Sequence, residues 1–237
     1  MVLAQGEHTL RGFDEELAAV RRLVSEMGGV VEVQIGDAIE ALEDGDVDGA
    51  RQVIERDYVV NRYDVEANDE MASIIARRQP AGSDLRLLLS LGKTVTDLER
   101  IGDEAEKIGR MTLLLNEHGR LGVNSSLLRD VGSMGRLARQ MVHEVLDALA
   151  RMDVQAAIQV AQGDRNLDEE FRAALRRLVT YMMEDPRVIG QAIDVLFVIK
   201  ALERIGDHAK NIAEYVVYLV KGQDVRHVSK DQLPILV

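Results

Sequence analysis

Apolar residues recur at alternating three- and four-residue steps through six long stretches of this chain, the spacing of one face of an α-helix. In the first stretch Leu10, Phe13, Leu17, Val20, Val24, Met27, Val31, Ala38 and Leu42 form a stripe, and Gln34 or Ile35 fills its one missing step. That predicts a helix of about nine turns, interrupted at most at Gly28-Gly29. Glu43-Asp44-Gly45-Asp46 reads as a turn, and a second helix follows over 47–78. Pro80, Gly82 and Ser83-Asp84 close that helix and cap a third, which runs to about residue 117. His118-Gly119 to Asn124-Ser125-Ser126 reads as a linker.

The rhythm then repeats, with helices expected near 126–151, 153–184 and 187–221. Met152-Asp153 forms the short turn, and Glu184-Asp185-Pro186 parallels Arg78-Gln79-Pro80. The last helix carries Val195, Ile199, Leu202, Ile205, Ala209, Ile212, Val216 and Leu219 on one stripe and ends at Lys221-Gly222, a C-cap signal. The expected fold is all-α: two tandem, sequence-related three-helix antiparallel bundles over 1–120 and 121–222, followed by a tail at 223–237.

Duplication is written in the residues themselves. Leu98-Glu99-Arg100-Ile101-Gly102-Asp103 recurs as Leu202-Glu203-Arg204-Ile205-Gly206-Asp207, 104 positions later, with Ala105 and Ile108 matched by Ala209 and Ile212. Each copy places a Glu and an Asp four residues apart, on one helix face. They flank the apolar stripe. Gly102 and Gly206 each cost a helix about 1 kcal/mol relative to Ala, so a close approach to the backbone is expected there.

Composition narrows the chemistry. Three Pro, three Phe and no Trp leave little that favours strands. The absence of Cys excludes disulfides, thiolate metal sites and cysteine nucleophiles. A net charge of −12 disfavours direct binding to nucleic acid or anionic lipid. With no basic leader and no apolar run of about 18 residues, a cytoplasmic protein is expected.

A second set of acids lies on the neighbouring helices. Asp57 and Asp64 complete the stripe of Ala50, Val53, Val60, Ala67, Met71 and Ile74, with Asn61 one turn from Asp57. Asp164 and Asp168 occur where Val160, Leu167, Phe171 and Leu178 mark a buried face, 107 positions from Asp57 and Asn61. Carboxylates at seam positions are costly unless paired or metal-bound. Each bundle would thus supply four oxygen-bearing side chains from two helices: Asp57, Asn61, Glu99 and Asp103, then Asp164, Asp168, Glu203 and Asp207. Such sets suit Mg, Mn or Fe, with Zn less favoured. Ion pairs to Arg56, Arg62, Arg100, Arg165 and Arg204 are the competing explanation. His208 points about 100° away from Asp207, there is no Glu-x-x-His pairing, and the His at 8, 118, 143 and 227 read as ordinary surface residues.

The doubled hexapeptide, with Arg77-Arg78-Gln79-Pro80, Ser83-Asp84-Leu85-Arg86 and Lys221-Gly222-Gln223-Asp224-Val225-Arg226-His227, resembles the PhoU family over about residues 7–227. The resemblance implies a cytoplasmic negative regulator of phosphate-starvation signalling and of high-affinity phosphate uptake. Such a protein would lie between the phosphate ABC transporter, through its cytosolic ATPase subunit, and a sensor histidine kinase, reaching the membrane only through them; a homodimer is expected separately, because exposed apolar edges of long bundles often dimerise. Some family members hold multinuclear metal clusters at Glu/Asp-x-x-x-Asp motifs, which match Glu99, Asp103, Glu203 and Asp207 here, joined by Asp57, Asp164 and Asp168. Asn61 departs from the acidic pattern and implies a weaker first cluster. Glu104 stands where the family often has a His, present here as His208. Two other classes stay open on the residues alone: a carboxylate-bridged metalloenzyme, and a metal-free helical scaffold.

Overall fold

Long runs of Ala, Leu, Val, Glu and Arg with period 3.6 can bury their apolar stripes only against other helices, and a computed structural model shows that arrangement over residues 11–117 and 126–225, the part of the chain the structure describes. Helix α1 spans Arg11–Asp44, α2 Val47–Arg78, α3 Ser83–Glu117, α4 Val131–Arg151, α5 Val154–Glu184 and α6 Ile189–Lys221. There is no strand among the described residues. Leu10, His8 and His227, the linker at 118–125 and the tail beyond residue 225 lie outside them.

Helix ends follow local chemistry. Asp46 and Asp153 cap α2 and α5, their carboxylates accepting from backbone N–H groups of the first turn. Gly222, at φ 73°, closes α6 in the left-handed conformation open to glycine. Two expected starts move. Helix α4 begins at Val131 rather than near 126, because Leu127 is buried within the preceding turn and both oxygens of Asp130 accept from Arg177 of α5, each at 2.8 Å. Pro186–Val188 forms a 3₁₀ turn, so α6 starts at Ile189 rather than 187. Helix α1 passes through Gly28-Gly29 without a break.

Helices α1, α2 and α3 pack into one bundle and α4, α5 and α6 into another. The two bundles then join along α3–α6 and α1–α4, leaving α2 and α5 on the outside. One continuous apolar core results, from Phe13 to Val225. Both joining pairs are antiparallel, since Arg86 reaches Leu219 and Glu104 reaches Arg204, while Gly28 meets Leu146 and Gly135 meets Ile39. At Gly28 an added Cβ would lie 2.6 Å from Leu146 Cδ2, so the residue that looked like a break is a contact point between bundles. The α3–α6 register centres on Ile101 and Ile205, both fully buried. The doubled hexapeptide therefore sits on the pseudo-twofold axis of the molecule.

Candidate metal-binding clusters and the seam between bundles

Asp57, Asn61, Glu99 and Asp103 are brought together where α2 crosses α3. Asp57 is 7% exposed, and Asn61 Nδ2 donates to its Oδ2 at 2.7 Å. Its other oxygen, Oδ1, is buried and takes no hydrogen bond. That atom lies 3.2 Å from where a Cβ on Gly102 would stand, so it faces the bare turn of α3 between Glu99 and Asp103. The close approach expected at both glycines is present. At Gly206 a Cβ would come within 2.4 Å of Leu167 Cδ2.

Burial pushes the Asp57 carboxyl above its usual range, Glu106 and Asp103 add to the rise, and the amides of Asn61 and Gln34 oppose it. Glu99 is likewise raised, by burial first and then by Asp103. Burial raises Asp103 against the pull of Arg100, with Glu106 and Glu104 reinforcing the rise. Carboxylates held above their normal pKa are ones whose negative charge lacks compensation.

In the second bundle Asp164 is almost fully buried, and Asp168, Glu203 and Asp207 are half-buried around it. Asp207 is raised by burial, then by Glu203 and Asp164, with Lys210 opposing. Lys200 Nζ lies 2.5 Å from Glu203 Oε2, and Lys210 Nζ lies 3.9 Å from Asp164 Oδ2.

The competing arginine pairs form only in part. Arg100 lies 3.4 Å from both Glu99 and Asp103 while remaining largely exposed. Arg56 pairs with Asp37 and Arg204 with Glu104, outside the predicted sets, and Arg62 lies over the Tyr63 ring. Among the described residues, no three acidic or histidine side chains converge closely enough to share one ion. In the first bundle the side chains offer oxygen atoms, one of them, Asp57 Oδ1, buried without a hydrogen-bond partner.

Sequence reasoning missed the seam between the bundles. His208 Nδ1 lies 2.7 Å from Asp97 Oδ1, and Asn211 donates to the same oxygen at 3.0 Å. Farther along, Glu104 accepts from Lys107 at 2.6 Å and from Arg204 at 3.1 Å. His143 is exposed, as expected, and stands 3.2 Å from Glu32 across α1–α4. A cleft of about 890 Å³ follows the α3–α6 groove and includes both Asp103 and Asp207 in its walls. Extending the 104-residue comparison outward from the hexapeptide would have exposed Asp97, Lys200 and Lys210 among the positions where the halves differ.

Fold and site together define a duplicated helical protein with an acidic cluster between two helices of each bundle. The PhoU domain model matches residues 24–112 and again 131–216. The chain is 49% identical over 221 residues to a phosphate-specific transport system accessory protein PhoU homologue of Pseudomonas aeruginosa, covering 93% of this chain and 90% of the relative. It is 44% identical to the PhoU accessory protein of Escherichia coli, over 96% of this chain and 92% of that one. The crystal structure of PhoU from P. aeruginosa superposes with a TM-score of 0.84 at 48% identity, covering 89% of this chain and 100% of that one. A PhoU phosphate transport regulatory protein from Streptococcus pneumoniae superposes at 0.81 with 29% identity, covering 90% and 99%. The chain belongs to the PhoU family.

Proposed function

We propose that this protein is a non-catalytic regulator of phosphate transport, a cytoplasmic adaptor that keeps phosphate-starvation genes and high-affinity uptake repressed when phosphate is plentiful. The observation that carries this reading is full-length similarity to phosphate-specific transport accessory proteins, over nine-tenths or more of both chains. Among the described residues no helix is long and apolar enough to cross a membrane, in keeping with a protein that reaches the transporter by docking. The partners would be the ATPase subunit of the phosphate ABC transporter and a sensor histidine kinase, with the adaptor acting as a homodimer.

In this reading the acidic clusters are cation sites. Asp57, Asn61, Glu99 and Asp103, and in the second bundle Asp164, Asp168, Glu203 and Asp207, would hold Mg, Mn, Fe or, less well, Zn. A bound cation would compensate the carboxylates and offer positive charge to phosphate or to an acidic surface of a partner. The long helices keep the clusters at fixed positions, and Asp103 and Asp207 open onto one groove.

A metal-free adaptor is the second reading, favoured by the lack of a converged three-ligand set among the described residues. The test is a variant with Glu99, Asp103, Glu203 and Asp207 all changed to Ala, checked for helicity and then introduced in place of the wild type. Derepression of a phosphate-starvation reporter in high phosphate is expected. Full repression would remove these carboxylates from the mechanism, and loss of stoichiometric metal without loss of repression would favour the metal-free adaptor.

A further inference from the structure

One end of the second bundle leaves apolar side chains uncovered. On α6, Ile189, Ile193 and Phe197 follow at four-residue steps and form one stripe, each two-fifths or more exposed. Leu167 beside Gly206 and Phe171 beside Lys200 set an antiparallel α5–α6 register that brings Val179 level with Ile193 and Met183 level with Ile189; Val179 is 47% exposed and Met183 79%. Across the seam, the register of Glu104 with Arg204 brings Leu114 of α3, also exposed, level with Ile193. Single exposed apolar residues are ordinary, but a contiguous apolar patch marks an interaction site.

The matching end of the first bundle is built differently. At the 104-residue offset Lys93 stands in place of Phe197, and its ammonium lies 5.5 and 5.9 Å from the ring centroids of Tyr215 and Tyr218. Leu89, matching Ile193, is exposed there, and Leu85, matching Ile189, is half-buried. Duplication alone therefore does not account for the patch.

The border of the patch is basic, although the chain carries a net charge of −12. Arg172 and Arg176 stand exposed on the same side of α5 as Val179 and Met183, each seven residues before one of them, and neither forms an ion pair among the described residues. Asp185, at the tip, is already held by Arg187 through two hydrogen bonds. At the other border Arg110 and Arg204, four residues from Leu114 and seven from Phe197, join the patch to the cleft between α3 and α6. A ridge of side chains at four-residue steps is a surface on which another helix packs, and two unengaged arginines beside it favour a helix with an acidic flank.

Resting on the reading of this protein as an adaptor that docks on its partners, we propose that this end of the second bundle is a docking face for an amphipathic helix of a partner protein. The apolar stripe of that helix lies over Ile193 and Phe197, and its acidic flank meets Arg172 and Arg176.

Biolayer interferometry of the full chain against the purified ATPase subunit of the transporter and, separately, the cytosolic region of the sensor kinase tests the face. Binding by at least one of them is expected. Ile193→Ser with Phe197→Lys, the second of which installs the first-half residue, should weaken it by about tenfold or more, mainly through faster dissociation. Arg172→Glu with Arg176→Glu should weaken it by about tenfold at low salt and flatten its salt dependence. Leu89→Ser, at the opposite end, should leave it unchanged. All these residues are exposed, and circular dichroism shows that each variant is folded. Undiminished binding by the Ile193 and Phe197 variant would overturn the docking face and leave the adaptor reading standing, and indifference to the arginine changes would overturn the acidic flank. With partner binding unchanged, a dimer that the same variant splits in sedimentation velocity would give the face to a second copy, and flotation with phosphatidylglycerol vesicles that the variant loses would give it to a lipid surface; either result overturns the proposal. No binding of the wild type to either partner would overturn both the face and the adaptor reading.

Discussion

Gly206→Ala and Gly163→Ala make the same chemical change in two long helices and should move stability in opposite directions. An Ala in a helix interior is favoured over Gly by about 0.5–1 kcal/mol. At Gly163 an added Cβ meets nothing within 4 Å, so the full gain is expected. At Gly206 the Cβ would stand 2.4 Å from Leu167 Cδ2, and Leu167 is 1% exposed with no solvent to swing into. Overpacking of that kind costs about 1–3 kcal/mol, so the net change is a loss of roughly 1–2 kcal/mol after the propensity gain. For a chain of this size the loss lowers Tm by roughly 2–8 °C. Urea unfolding followed by circular dichroism, with m held equal between variants, measures both changes. Adding Leu167→Ala removes the atom in the way, so in that background Gly206→Ala should turn neutral or stabilising, a non-additivity that identifies the contact. If Gly206→Ala alone stabilises as much as Gly163→Ala, close packing of α5 on α6 is not why the hexapeptide carries glycine.

Two further outcomes follow from the pairs that join distant parts of the chain. Asp97→Ala should cost about 1–3 kcal/mol by stripping the acceptor shared by His208 and Asn211, and a double-mutant cycle with His208→Ala should show the two changes to be strongly non-additive. Glu16 is held below the usual carboxylate range, first by its bidentate contact with Arg78, which outweighs the opposing burial, and then by the charges of Arg77 and Arg78. A depressed folded pKa contributes stability above the unfolded value and loses it as pH falls through the folded one. Glu16→Gln should therefore narrow the stability gap between variant and wild type as pH drops below about 4.5, read from urea midpoints across an acid series.

The long apolar stripes were legible because each is a property of one helix. Val195 through Leu219 is buried as the period requires, and Gln34 and Ile35, both offered for the missing step of α1, are both buried. The carboxylates of the hexapeptides fall beside their partners on α2 and α5, as the spacing implied. What escaped was whatever depended on the partner surface. The α4 start hinged on Arg177, 47 positions beyond Asp130. Asp97 is a polar residue on α3 whose partners lie more than a hundred positions away. Lys200 and Lys210 look like solvated helix charges until α5 is laid against α6.

The antiparallel α3–α6 seam gives its charges an address. Asp97 and Glu104 belong to the first bundle, and the Arg204, His208 and Asn211 side chains that meet them all belong to the second. Two first bundles from separate molecules, docked through the same faces, would set Asp97 against Glu104, which stands in the first copy where His208 stands in the second. The covalent link, in turn, keeps the correct halves together at any protein concentration. An ancestral pair of identical subunits would have had to accept each substitution on both sides of its axis. The fused chain is free of that constraint, so one half can specialise while the other preserves the older arrangement.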